Sequence, residues 1–168
     1  MRFLIITKKQ LMLGICALIA VIAVVIGSAA AFAGNDRKLP IYCVETEKKQ
    51  IAISFDAAWG NDDTQTLIDI LKEYNVPATF FVVGSWVDKY PESVKALSDA
   101  GHQVQNHSNT HPHMPQLSKQ QMRDELESCN SKIKAITGVC PTLLRPPYGD
   151  YNSRVLSLLD NPAILWSV

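Results

Sequence analysis

The chain has 168 residues, 47% of them hydrophobic, with 16 basic and 16 acidic side chains. That length holds one domain with a packed core and is short for two. The neutrality averages unlike parts: Arg2, Lys8 and Lys9 stand in an arm without acids, leaving 13 basic against 16 acidic side chains in residues 34–168. The larger part is therefore slightly acidic and has no basic stripe, which excludes a nucleic-acid partner.

In chain order, residues 1–10 form a basic arm and residues 11–33 contain no charge at all. An uncharged run of this length reads as a transmembrane helix, and the basic flank places its start in the cytoplasm. The alternative is a cleaved signal peptide, since Ala31-Phe32-Ala33 before Gly34 has the small-x-small form of a cleavage site. Both readings export the remainder: a cell-membrane protein with an exported domain, or a secreted one.

Residues 34–48 read as a polar linker, and a domain over 49–168 follows. Ile51 to Phe55 is a strand, and Thr64 to Tyr74 a helix with Leu67, Ile70, Leu71 and Tyr74 on one face. Ala78 to Val83 is a second strand. Pro91 to Ala100 is a helix with Pro in its first turn and Gly101 just past its end. Gln103 to Gln105 is a short third strand. Ser118 to Ile136 is the longest helix, with Ser118 and Gln121 as a capping box and Met122, Leu126, Cys129, Ile133 and Ile136 as its buried stripe. Thr142 to Leu144, Ser153 to Leu159 and Ala163 to Trp166 follow as strand, helix and strand. Such alternation implies an α/β fold with a parallel sheet, doubly wound or curled toward a barrel, although five strands are too few for an ordinary (β/α) barrel. Cys129 and Cys140 could bridge in an oxidising compartment; buried free thiols are the other reading.

Sites in parallel α/β folds lie at the carboxyl ends of the strands. Asp56 follows the first strand, His107 and His111 the third, and Arg145-Pro146-Pro147-Tyr148-Gly149-Asp150 the fourth. Two neutral imidazoles at i and i+4 can grip one divalent metal, or they can be two solvated loop histidines. Asp56 is placed to take a proton from a metal-activated water, or to bond turn amides. Arg145 is either a surface arginine or the guanidinium that keeps Asp56 ionised. Pro146 and Pro147 fix the backbone so that the Tyr148 amide can donate to an oxyanion. Ser108 between the histidines excludes a His-Glu-x-x-His zinc protease.

Together these residues resemble the polysaccharide deacetylases with a NodB homology domain, carbohydrate esterase family 4, from about Lys49 onward. Ser54-Phe55-Asp56 is similar to the family's first motif, His107-Ser108-Asn109-Thr110-His111 to its second, and Arg145-Pro146-Pro147-Tyr148-Gly149 to its third. The resemblance implies a NodB-type deformed (β/α) barrel, incomplete in this chain, behind an N-terminal transmembrane helix. It implies a divalent metal, usually zinc, and hydrolysis of N-acetyl groups on a cell-wall or chitin-like polysaccharide, with peptidoglycan favoured. Asp56 would be the general base, His107 and His111 metal ligands, Arg145 the group that orients Asp56, and Tyr148 with Pro147 the substrate and oxyanion side. The anchored arrangement is similar to sporulation-type members. The family's second aspartate, a metal ligand, is replaced here by Ala57, so Asp62 or Asp63 is the substitute ligand; Asp63 also reads as the N-cap of the following helix. The family's later Asp-Trp and Leu-x-His motifs, the second carrying the general acid, do not occur before Val168. The expectation is a C-terminally truncated member, with a catalytically inactive glycan-binding protein or truncated pseudoenzyme as the alternative.

Overall fold

The computed structural model describes residues 8–32, 39–159 and 162–167. The chain divides into two compact units, 1–37 and 38–168. The first contains α1, Lys8–Phe32, continuous over 25 residues because nothing from Leu11 to Phe32 is charged or proline. Its Leu11, Leu13, Leu18 and Val24 are all exposed. Among the described residues no helix is long and apolar enough to cross a membrane, so the expected transmembrane helix is not supported. Arg2 and the cleavage signal's Ala33 lie outside the described residues.

The second unit is built on a parallel sheet of β1 (Ser54–Ala57), β2 (Thr79–Val82) and β3 (Gln103–Asn106), in that spatial order. Ser54 pairs with Thr79 and Thr79 with Gln103, so the carboxyl ends align at Ala57, Val82 and Asn106. β2 lies in the middle and is nearly all buried, hence its aromatic and β-branched run Thr-Phe-Phe-Val. β1 begins at Ser54 rather than at the exposed Ile51 and runs on to Ala57, so Asp56 lies within the strand rather than after it.

Beyond β3 the sheet continues only as single parallel bridges, Asn106 to Leu144 and Leu144 to Ala163. The expected fourth and fifth strands are thus isolated bridges, Leu144 pairing on both sides and the last segment through Ala163 and Ile164, because Pro141, Pro146, Pro147 and Pro162 remove the donors that longer ladders need. Ile41 bridges Ile164 on the far side, its amide donating to Ala163 at 2.8 Å while Leu165 donates to Ile41 at 2.9 Å. The segment read as linker thus contains a residue that extends the sheet.

Helices α2 (Thr64–Glu73), α3 (Gly84–Lys89), α4 (Pro91–Asp99), α5 (Lys119–Thr137) and α6 (Ser153–Ser157) complete the unit. In α2 the buried pair is Ile68 and Leu71, with Leu67 partly buried, while Ile70 and Tyr74 are exposed. The true stripe is rotated from the expected one because Ile68, not Ile70, sits on the sheet side. α3 escaped the sequence reading because six residues hold too few repeats to show a period. α5 begins with the expected capping box, Ser118 Oγ accepting from the Gln121 amide and Gln121 Oε1 from the Ser118 amide. Its Met122, Cys129 and Ile133 are fully buried. The core joins Ile68, Phe80, Val82, Trp86, Val94, Leu97, Val104 and Ile133 between sheet and helices. Each such side chain contributes about 1.5–3 kcal/mol by leaving water. All four cysteines are free; burial pushes the Cys129 thiol up to about 12, so it is an inert core residue.

Candidate active site

Three strand ends converge as the sequence suggested, and Arg145 ties two of them together. Its guanidinium donates to Asp56 Oδ1 at 2.7 Å through Nη1 and to Ser54 Oγ at 2.7 Å through Nη2. Ser54 and Asp56 share one face of β1 by strand alternation, so a single planar fork reaches both. The guanidinium also lies over the Phe81 ring, 4.1 Å from its centroid, and is buried. It is set there by the ladder itself, since the Arg145 amide donates to the Asn106 carbonyl. Asp56 is the more open partner, its side chain 37% exposed.

The histidine loop is held from three sides. The Ser108 and Asn109 carbonyls accept from the Gly84 and Ser85 amides at the start of α3, both at 2.9 Å. A Cβ on Gly84 would stand 2.3 Å from Asn109 Oδ1 and 3.1 Å from its Cα, so only glycine permits this approach. From α5, Glu125 accepts from the Asn109 and Thr110 amides at 2.8 Å each and from the Thr110 hydroxyl at 2.7 Å. From inside, the Ser108 amide donates to Asn106 Oδ1 at 2.6 Å, while Asn106 Nδ2 donates to the Leu126 carbonyl and to Asn130. These bonds hold two non-glycine residues in left-handed conformation, Ser108 at φ 66° and His111 at φ 61°. Such backbones persist only where their surroundings over-determine them.

His107 Nδ1 lies 2.7 Å from the Arg145 carbonyl, so it carries the proton and donates there. That leaves Nε2 as a lone pair, 3.9 Å from Asp56 Oδ2. The His111 ring lies 4.9 Å from that of His107, and its buried Nδ1 has no hydrogen-bond partner. Burial lowers the pKa of both rings and keeps them neutral. Two neutral imidazoles, one with its far nitrogen locked on a carbonyl, are donors of the kind a divalent metal takes. Among the described residues no three His, Cys, Asp or Glu side chains cluster to hold a metal, so none of Asp56, Asp62 and Asp63 completes a three-ligand set with the two histidines. Asp62 lies beside Gly60 and Asp63 stands at the N-cap of α2, with no side-chain cap bond.

Tyr148 sits in a left-handed turn at φ 60°, next to buried Pro147. Its ring meets His111 edge-on at 4.6 Å and stacks on His113 at 4.2 Å. His113 Nδ1 is in turn 3.1 Å from Asp150. Gly149 at φ 66° lies against Trp166, whose ring would be 2.9 Å from an added Cβ.

Residues 44–162 match the polysaccharide deacetylase family. The chain belongs to that family. Among its curated relatives, the peptidoglycan-N-acetylmuramic acid deacetylase PdaA of Bacillus subtilis is 38% identical over 131 residues, 76% of this chain and 50% of the relative. The peptidoglycan-N-acetylglucosamine deacetylase PgdA of Listeria monocytogenes is also 38% identical over 131 residues, 78% of this chain and 28% of the relative. A solved CE4 family pseudoenzyme from Bacillus anthracis matches with a TM-score of 0.75 at 36% identity, over 77% of this chain and 47% of that one. A CE4 family pseudoenzyme mutant with restored enzymatic activity gives the same TM-score at 38% identity, over 77% of this chain and 49% of that one. The chain thus spans about half the length of PdaA and 28% of the length of PgdA.

Asp56, Arg145, His107 and His111 all meet at this site, and Tyr148 borders it. Asn106 and Glu125 escaped the sequence reading, and Ser54 entered it only as part of the first motif, without a role. Ser54 carried a signal, two residues before Asp56 on one strand face; Glu125 carried none, since a helix-surface acid shows nothing of the loop it will meet.

Proposed function

We propose that this site hydrolyses N-acetyl groups on a cell-wall polysaccharide, peptidoglycan foremost. The reading rests on one observation: the Asp56 carboxylate, held by Arg145 through Oδ1, has Oδ2 3.9 Å from Nε2 of neutral His107, whose ring neighbours that of His111. His107 and His111 would hold a divalent metal, with zinc favoured by nitrogen donors, and the metal would supply Lewis-acid polarisation of the acetamide carbonyl and of the attacking water. Asp56 takes the proton of that water at Oδ2, while Arg145 keeps the carboxylate ionised and aimed. As the C–N bond breaks, acetate leaves and the proton taken up by Asp56 passes to the sugar amine, so that amide and water give acetate and amine. The left-handed turn at Tyr148, beside Pro147, is where a backbone amide would steady the developing oxyanion.

The test is acetate release from N-acetylated peptidoglycan by zinc-loaded protein, with Asp56→Asn as comparison. Loss of a general base lowers turnover by roughly 10²–10⁴-fold. Equal acetate release by Asp56→Asn and wild type would refute the role of Asp56.

A second reading, glycan binding without turnover, is favoured by Ala57 standing where the family's ligand aspartate would be. It predicts retention on insoluble peptidoglycan that Asp56→Asn leaves unchanged, with no acetate formed. For location, the uncharged stretch 11–33 and the small-x-small run Ala31-Phe32-Ala33 support export and secretion after cleavage. Protease added to intact cells would degrade residues 38–168 if they are exported and spare them otherwise.

A further inference from the structure

Trp59 is one of the most exposed large apolar side chains of the second unit, 79% accessible. Single exposed hydrophobic residues are common and usually without consequence. Trp59 differs in two respects, its support and its neighbours. The loop beneath it is fastened on both sides. Before it, Ala58 packs on the core; after it, the Gly60 carbonyl accepts from Trp86 Nε1 at 2.8 Å, and Asn61 Nδ2 donates to Ser93 Oγ at 3.0 Å. A buried indole is thus used to hold the loop that presents an exposed one. The Trp59 ring then meets His111 edge-on, with centroids 5.9 Å apart, while the half-exposed Tyr148 ring meets the same histidine at 4.6 Å. Two aromatic surfaces from separate segments therefore border one candidate metal ligand.

We propose that Trp59 is a substrate-stacking, specificity-determining residue, whose indole receives the C–H face of a pyranose ring next to the sugar being deacetylated. The inference rests on the reading of the site as a polysaccharide deacetylase and names how it grips its polymer. A sugar ring has polar edges and apolar C–H faces, and a flat, rigid ring pinned at a rim is what such a face meets with least loss of entropy. A substrate without sugar rings gains nothing from Trp59. The residue touches neither the water nor the acetyl group, so its contribution belongs to binding more than to turnover.

The experiment measures binding of a tetrameric N-acetylglucosamine oligosaccharide to the full chain by calorimetry, together with cleavage of 4-nitrophenyl acetate, which carries no sugar. Trp59→Ala is expected to weaken oligosaccharide binding roughly tenfold, the scale of one aromatic stacking contact. Cleavage of the small ester should fall by a smaller factor than oligosaccharide binding does. Trp59→Tyr should restore most of the binding, and Tyr74→Ala, which removes an exposed aromatic at the far end of α2, should change nothing. Thermal melts of each variant show whether the fold is kept; an exposed side chain on a fastened loop should leave them unaltered. Wild-type affinity in Trp59→Ala overturns the proposal, and so does an absence of oligosaccharide binding by the wild type. Failure of the deacetylase reading looks different: the wild type binds the oligosaccharide and releases no acetate, while the Trp59 effect on binding persists.

Discussion

Replacing Glu125 by Ala removes three hydrogen bonds to one carboxylate, at 2.8, 2.8 and 2.7 Å, without touching either histidine. A hydrogen bond to a charged group contributes about 1.5–3 kcal/mol net. The Asn109 amide is part-buried and is left with the full penalty, about 2 kcal/mol. The two Thr110 donors are exposed and regain water, leaving roughly 0.5 kcal/mol each. The sum, about 3 kcal/mol, corresponds to a fall in melting temperature of roughly 10 °C for a unit of this size. Glu125→Gln keeps one acceptor oxygen and should lose about half as much. Because the same bonds hold the loop that carries His111 at φ 61°, zinc affinity should fall roughly tenfold in Glu125→Ala. Differential scanning calorimetry and a competitive zinc titration measure the two effects. A melting temperature within 2 °C of wild type, or zinc affinity unchanged while stability falls, would refute the claim that Glu125 positions the histidine loop; the 2 °C criterion is about the shift of 0.5 kcal/mol.

Two further outcomes follow from single positions. Alanine at the start of a helix normally gains stability over glycine, but Gly84→Ala places a Cβ 2.3 Å from Asn109 Oδ1, which also accepts from Lys132. The variant should lose about 1–3 kcal/mol in urea denaturation. His102 is buried beside Phe80 with both ring nitrogens unpartnered, and burial lowers its pKa from the ordinary 6.5. Its folded pKa lies below the unfolded one, so its contribution is fully present above about pH 6.5 and is lost as pH falls through the folded value. His102→Phe should flatten that part of the stability curve measured between pH 5 and 8, within the range where histidine changes charge; an unchanged acid limb would remove His102 as its cause.

The site was legible where chemistry is tied to the local chain. His107-Ser108-Asn109-Thr110-His111 and Arg145-Pro146-Pro147-Tyr148-Gly149 are short segments whose spacing alone states what they can hold, and the capping box at Ser118 and Gln121 is likewise local. The stripe of α2 contains Ile68 where the apolar spacing suggests Ile70 and Tyr74, because nearby apolar residues offer two stripes and only the sheet selects one. The lengths of the later strands were overestimated for the same reason: Thr142 to Leu144 and Ala163 to Trp166 have strand-like side chains, yet pairing needs a partner backbone.

Sequence alone determined the family, the parallel α/β plan and the four side chains that meet at the strand ends, since periodicity and motif spacing are properties of neighbouring residues. Only the tertiary structure decided that Arg145 spans Asp56 and Ser54, and that Glu125 and Gly84 hold the backbone of the loop between His107 and His111. Those arrangements depend on distances between residues 15 to 91 positions apart, which packing sets and local sequence does not encode.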